Sequence, residues 1–160
     1  MDTQTLQDSR RRSARALSRA TGAELADLWH HWPDRPTTQL LRAPETGLVM
    51  VQGRVGGGGD RFNLGEATVT RATVRVSHAD SVAVGTAYVL GTDHEHAELA
   101  ATFDAMLASP MRDAVLRDVI EVLEQRQSAQ DSDDYAQARS TVVEFFTAAR
   151  ENSGDDEDDE

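Results

Sequence analysis

The 160-residue chain contains no cysteine, which excludes disulfides, thiolate zinc sites and cysteine-held iron–sulfur clusters. It contains no lysine either, because all 16 basic residues are arginine. A Schiff-base mechanism needs a lysine amine and a Walker A loop needs a lysine on the phosphates, so both are excluded. No apolar run approaches the roughly 20 residues that a membrane-crossing helix requires. The start, Met1 to Gln7, is polar, and the arginines that follow lead into no apolar stretch, so a secretion leader is not expected. The expected location is the cytoplasm, away from any membrane.

Hydrophobic residues make up 39% of the chain, and the length suffices for one domain with a genuine core. The formal net charge is −12, unevenly spread. Seven of the 28 acids lie at Glu151 and Asp155–Glu160, so residues 1–150 hold 21 acids against 16 arginines. The reading is one α+β domain over 1–150 and a disordered acidic tail over 151–160, whose like charges repel and which has nothing apolar to bury. Nucleic acid is not an expected partner, since no broad basic surface is available to neutralise phosphates. Five arginines fall within residues 10–19, but they alternate with alanine and leucine, the pattern of a helix's wet face.

Periodicity organises the rest. Ala14, Leu17 and Ala20, then Leu25, Leu28 and Trp29, predict two helices over 8–32, interrupted at Gly22 and ended by Pro33 and Pro36. Strand signals follow at Thr37–Ala43, Leu48–Arg54, Ala67–Val76 and Val82–Leu90, with Pro44-Glu45-Thr46-Gly47 read as a turn. Short links imply a four-stranded antiparallel meander. Thr92 to Glu95 fits a capping box with Thr92 as the cap, opening a helix with Leu99, Phe103, Met106 and Leu107 on one face. Ser109-Pro110 starts another, Ser109 as cap, striped by Val115, Leu116, Val119, Ile120 and Leu123. A last helix carries Tyr135, Ala138, Val142, Phe145, Phe146 and Ala149. The expected fold is α+β, with N-terminal and C-terminal helices on the meander. The stripes around Phe103, Ile120 and Phe146 exceed what one small sheet covers and predict subunit contacts.

Three groups of residues have chemical potential. Arg54, the run Gly56 to Gly59, and Arg61 combine backbone able to approach an anion with flanking guanidinium groups. The run lies between strands, whereas the phosphate-loop and dinucleotide fingerprints need a helix N-terminus after the glycines, so a plain connection explains it as well. Arg71 and Arg75 are four apart in a strand and so share a face, about 13 Å apart, with Thr73 between them. That face is either simply exposed or meets phosphate or a partner's carboxylates. Asp93-His94-Glu95-His96-Ala97-Glu98 has a metal-like composition, but on a helix His94 and Glu98 share a face that His96 leaves, and capping accounts for Glu95. No metal site is assigned. His96 and Glu98 remain a candidate polar site. His30-His31 point about 100° apart on a helix, and no serine, histidine and acid arrangement stands out.

Several stretches in fixed order carry a resemblance. Leu41-Arg42-Ala43-Pro44-Glu45-Thr46-Gly47-Leu48-Val49 is followed by Arg54, Arg61-Phe62, Gly65-Glu66-Ala67-Thr68-Val69-Thr70-Arg71 and Val74-Arg75. Gly91, Asp93, His96-Ala97-Glu98 and Asp104-Ala105 come next, and Leu17, Ala20 and Glu24-Leu25 precede them. Over about residues 13–150 the chain resembles the PhnG family, small subunits of the bacterial carbon–phosphorus lyase core complex. It departs at Thr92, where family members carry arginine, and in the acidic tail.

The resemblance implies a cytoplasmic subunit of a transferase in phosphonate catabolism, the alpha-D-ribose 1-methylphosphonate 5-triphosphate synthase. In that reaction the ribosyl triphosphate of MgATP passes to an alkylphosphonate and adenine leaves. The implied partners are PhnH-, PhnI- and PhnJ-like subunits and, transiently, PhnL- and PhnK-like ATPases. The PhnI-like partner houses the main catalytic residues, and this subunit binds no cofactor, MgATP being the substrate of the complex. No residue is assigned a catalytic role. Arg54, Gly57, Gly59, Arg61, Arg71 and Arg75 are the candidate anion-binding or interface residues. Three readings stand: a contributor to a composite transferase site, a purely structural adaptor, and a free-standing nucleotide-binding module.

Overall fold

The computed structural model describes residues 3–140. The N-terminal region is helical, as its periodicity predicts: α1 spans Thr3–Arg19 and α2 spans Gly22–His30. The break between them is a capping box. The Thr21 hydroxyl accepts from the Glu24 N–H (3.2 Å), and the Glu24 carboxylate accepts from the Thr21 N–H (2.9 Å), so Gly22 opens the second helix.

Three strands follow, not four: β1 Thr37–Arg54, β2 Arg61–His78 and β3 Ser81–Leu90, antiparallel in the order β1-β2-β3. Pro44-Glu45-Thr46-Gly47 is not a turn. Glu45, Thr46 and Gly47 stay in register with Arg71, Thr70 and Val69 of β2. β1 is an edge strand, so the N–H that Pro44 lacks costs no ladder bond there. Register shifts between Leu40 and Arg42, and between Arg42 and Glu45, absorb the local irregularity as bulges.

β3 pairs with β2 only from Val69 to His78. Over that stretch β2 alternates, with Thr70, Ala72, Val74 and Val76 buried. They meet α3 (His94–Leu107), ten of whose fourteen residues are buried. Helix and strand touch backbone to backbone at Gly85, where an added Cβ would lie 2.2 Å from the Ala101 carbonyl oxygen and 2.2 Å from the Ala105 nitrogen. Beyond α3 lie α1, α2 and the final helical segment, making a third layer. Trp29 and Trp32 meet Phe103 edge-on, with ring centroids 6.0 and 6.3 Å apart. Phe103 and Ile120 are fully buried within the chain, so these stripes are not the uncovered contacts the sequence suggests: α3 forms a middle layer and presents apolar groups in two directions. Phe146 lies outside the described residues.

The helix cap at α3 is Asp93 rather than Thr92, its carboxylate accepting the His96 N–H at 2.9 Å. Asp is as good a cap as Thr and one residue nearer the helix. Ser109 caps a preceding turn, its hydroxyl accepting from the Met111 N–H at 3.2 Å, and α4 begins only at Arg112 (Arg112–Val115). The two predicted C-terminal helices form one run: α4 passes through a π-helical turn, Leu116–Ile120, into α5, Glu121–Ser140. Val142, Phe145 and Ala149, and the proposed tail, lie outside the described residues. The run is pinned to α1 by Arg12 on Glu124, Arg19 on Asp131 (3.0 Å) and the Gln127 amide donating to the Ala16 carbonyl (2.9 Å).

Candidate functional site

The helices cover one face of the sheet and leave the other bare. The period-two geometry that buries Thr70, Ala72, Val74 and Val76 puts Arg71, Thr73 and Arg75 on that bare face. Cross-strand register brings Glu45 beside Arg71 and Gln39 beside Arg75 from β1, and Tyr88, Thr86 and Val84 from β3. The Arg71 guanidinium donates to one Glu45 carboxylate oxygen through Nε (3.2 Å) and Nη2 (3.0 Å). That bond first, and then one to Tyr88, raise the arginine's pKa above its ordinary value. Arg75 donates to the Gln39 side chain (3.3 Å) and has no carboxylate partner among the described residues. Thr73 and Thr86 hydroxyls bond across the strands at 3.1 Å. The expected alignment of Arg71, Thr73 and Arg75 is therefore present.

Arg54, Gly57, Gly59 and Arg61 lie elsewhere. Ten residues of β2 separate Arg61 from Arg71, about 30 Å of extended chain, so the arginine and glycine set divides into two places. Arg54 and Arg61 are direct cross-strand partners at the end of the β1–β2 hairpin. The connection begins as a tight turn over Val55–Gly57, with Gly56 and Gly57 at φ of +58° and +80°, values that suit glycine. The Gly59 N–H is taken by the Val55 carbonyl (2.8 Å), and Arg54 donates to the Gly59 carbonyl (3.2 Å). The Gly59 amide, being bonded within the loop, is not free for an anion.

The candidate polar site at His96 and Glu98 does not assemble. His96 is buried and its Nε2 sits 2.9 Å from the Leu17 carbonyl, which ties α3 to α1. Its burial follows from the 3.6-residue period, which puts position 96 on the α1 side of the helix. The Glu98 carbonyl accepts from the Thr102 hydroxyl at 2.9 Å. Among the described residues no group of three or more histidine or acid side chains is placed to hold a metal ion. His94 instead reaches Thr46 (3.1 Å), which bonds Thr70 (2.9 Å), which donates to the Gly91 carbonyl (2.8 Å). This chain of hydrogen bonds fixes the start of α3 to the sheet beside position 92.

Sequence reasoning missed the residues that give each arginine its neighbours: Glu45, Gln39 and Tyr88. Alternation in 82–90 does put Tyr88 on one face with Val84 and Thr86, but only register shows that this is the face of Arg71. Asp104, which the sequence brings in only through the resemblance and with no site role, accepts the Thr86 N–H at 2.9 Å on the free side of β3. Burial raises the Asp104 pKa, offset in part by that hydrogen bond and by Arg10.

Comparison with known proteins follows the same stretches. The family model described as phosphonate metabolism protein PhnG matches residues 8–151. A protein of Rhizobium meliloti (strain 1021), named alpha-D-ribose 1-methylphosphonate 5-triphosphate synthase subunit PhnG, is 47% identical over 141 residues, covering 88% of each chain. The match spans the bare sheet face, the hairpin and the helices above them, and the chain belongs to the PhnG family of phosphonate metabolism proteins.

Proposed function

We propose that this chain is a subunit of an alpha-D-ribose 1-methylphosphonate 5-triphosphate synthase in the cytoplasm. It supports transfer of the ribosyl triphosphate of MgATP onto an alkylphosphonate with release of adenine. The reading rests on the kinship with a named synthase subunit over 88% of the chain. The bare face is in keeping with it: Arg75 has no carboxylate partner among the described residues, and those residues include no self-sufficient catalytic set. The main catalytic residues belong to a PhnI-like partner, with PhnH- and PhnJ-like subunits in the same assembly and PhnL- and PhnK-like ATPases joining transiently. The subunit itself binds no cofactor, and MgATP is the substrate of the whole.

The adaptor reading has one observation in its favour: Glu45 of the same chain already pairs with Arg71. Arg75 separates the two. In the assembled complex with MgATP and methylphosphonate, Arg75→Gln is expected to slow adenine release by roughly 30- to 1000-fold, as expected for a lost preorganised donor worth about 2–4 kcal/mol. Normal assembly with parental turnover in both Arg71→Gln and Arg75→Gln leaves the adaptor role alone. Adenine release by the isolated subunit at the rate of the full set overturns the assignment of the chemistry to a partner.

A further inference from the structure

Beyond the end of β3 the β1–β2 hairpin continues alone. Residues 48–54 and 61–68 pair with each other, while β3 reaches no further along β2 than Val69. The segment carries Leu48, Val49, Met50, Val51, Phe62 and Leu64, each between 40% and 63% exposed. Register sorts them by face. Val49, Val51, Phe62 and Leu64 lie on the side continuous with Arg71 and Tyr88. An added Cβ at Gly53, on that side, would lie 2.9 Å from Leu64 and 3.3 Å from Phe62. Leu48 and Met50 lie on the other side, ahead of the Gln52–Asn63 bond (3.1 Å) and the Arg54–Arg61 pair. A two-stranded ribbon by itself is at best marginally stable, and this one carries its apolar groups uncovered on both faces.

The tip adds a second, independent observation. Like charges directly opposite in an antiparallel pair repel, and neither Arg54 nor Arg61 has a carboxylate partner among the described residues. At the base of the ribbon, Gly47 leaves a hollow of about 280 Å³ walled by Val49, Val69, Arg71 and Tyr88. It is large enough for one bulky side chain.

We propose that this ribbon is a docking arm. Resting on the subunit reading above, its occupant is another subunit of the synthase. That subunit has an apolar cleft closing over both faces of the arm, with carboxylates at the cleft's end receiving Arg54 and Arg61. Area and symmetry favour a cleft over a second copy. Seven residue pairs make a ribbon about 23 Å long and about 10 Å wide. Its two faces together offer on the order of 500 Å² of flat projection, comparable with the roughly 800 Å² of accessible surface that each partner of a standard interface buries. Two arms stacked face to face in a twofold dimer cover one face of each and leave the other in water.

The test co-expresses the chain with the PhnH-, PhnI- and PhnJ-like subunits of the same organism. It compares the parent, the arm variant Val51→Ser/Phe62→Ser/Leu64→Ser, the tip variant Arg54→Glu/Arg61→Glu, and a control, Val82→Ser, exposed on β3 away from the arm. Both arm and tip variants are expected to keep the parental circular dichroism and melting temperature but to lose at least 10-fold in affinity for the other subunits, and the control to bind normally. Trypsin gives an independent reading on the unaltered protein. Cleavage after Arg54 and Arg61 is expected to be at least 10-fold slower in the complex than in the free subunit. If the variants bind normally, or those bonds are cut equally fast in both states, the docking arm is wrong. Variants that only turn a self-associated free subunit into a monomer show the occupant to be a second copy and overturn the proposal. A parent chain that none of the other subunits retains removes the subunit reading and the cleft with it.

Discussion

One strand runs through two environments. From Val69 onward β2 has a neighbour on each side and a helix beneath, and every second side chain is sealed away. From Arg61 to Glu66 the same strand has one neighbour and no cover, and no side chain is buried. The apolar content differs little: Phe62 and Leu64 in one half, Val74 and Val76 in the other. The difference is what lies against them, so burial here is a property of the assembly of elements and not of strand composition. A fold that leaves one half of a strand bare retains the capacity to bury it against another chain.

The sharpest way to break the comparison is to force the covered half open. Gly85→Val places a side chain where the α3 backbone already lies, and a loss of at least about 5 kcal/mol, the exceptional end of single substitutions, is expected. Urea unfolding measures it; a stable variant would show that helix and sheet can separate here. Phe103→Ala removes the ring that both tryptophans contact, and a loss of about 3–5 kcal/mol is expected by the same measurement.

A milder probe is the seam between α1 and α5. The bond to Arg12 holds the Glu124 carboxyl below its ordinary pKa, against a smaller desolvation. A depressed carboxylate contributes stability above its unfolded pKa and loses it as pH falls through the folded one. Arg12→Gln should thus cost about 0.5–1 kcal/mol at pH 7, as for other partly exposed pairs, and nothing near pH 2. A pH-independent deficit would assign the effect to packing of the arginine stem. The smallest effect belongs to the bare half: Phe62→Ser and Leu64→Ser in the isolated protein should each change stability by less than about 0.5 kcal/mol. A loss comparable with that of Phe103→Ala would mean that the arm is already covered within its own chain.

How far the sequence discloses this arrangement depends on the range of the interaction involved. Helix periods, the alternation of 72–76 and the shared face of Arg71 and Arg75 are local and readable. Pro44 to Gly47 has the residues of a turn, yet the ladder to β2 outweighs that preference and carries β1 straight through. Thr92 and Asp93 are both competent caps, and only the placement of the helix decides between them. His96 looks like a ligand in its acidic neighbourhood; its true partner is a carbonyl 79 residues away. The division of the arginines into tip and face follows from the length of β2, which runs from Arg61 and not from Ala67, where the alternation becomes clear.

The bond between His96 and Leu17 also sets a clock. During synthesis α1 leaves the ribosome long before the helix that covers it. At about 5–20 residues per second, the 79 residues between the two partners take roughly 4–16 s to translate. For that interval Ala16, Leu17 and Ala20, all later buried, have no α3 to meet. The nascent chain must therefore pass through a stage in which its first helix is exposed and adhesive. The five arginines between positions 10 and 19 keep that helix charged and hydrated while it waits.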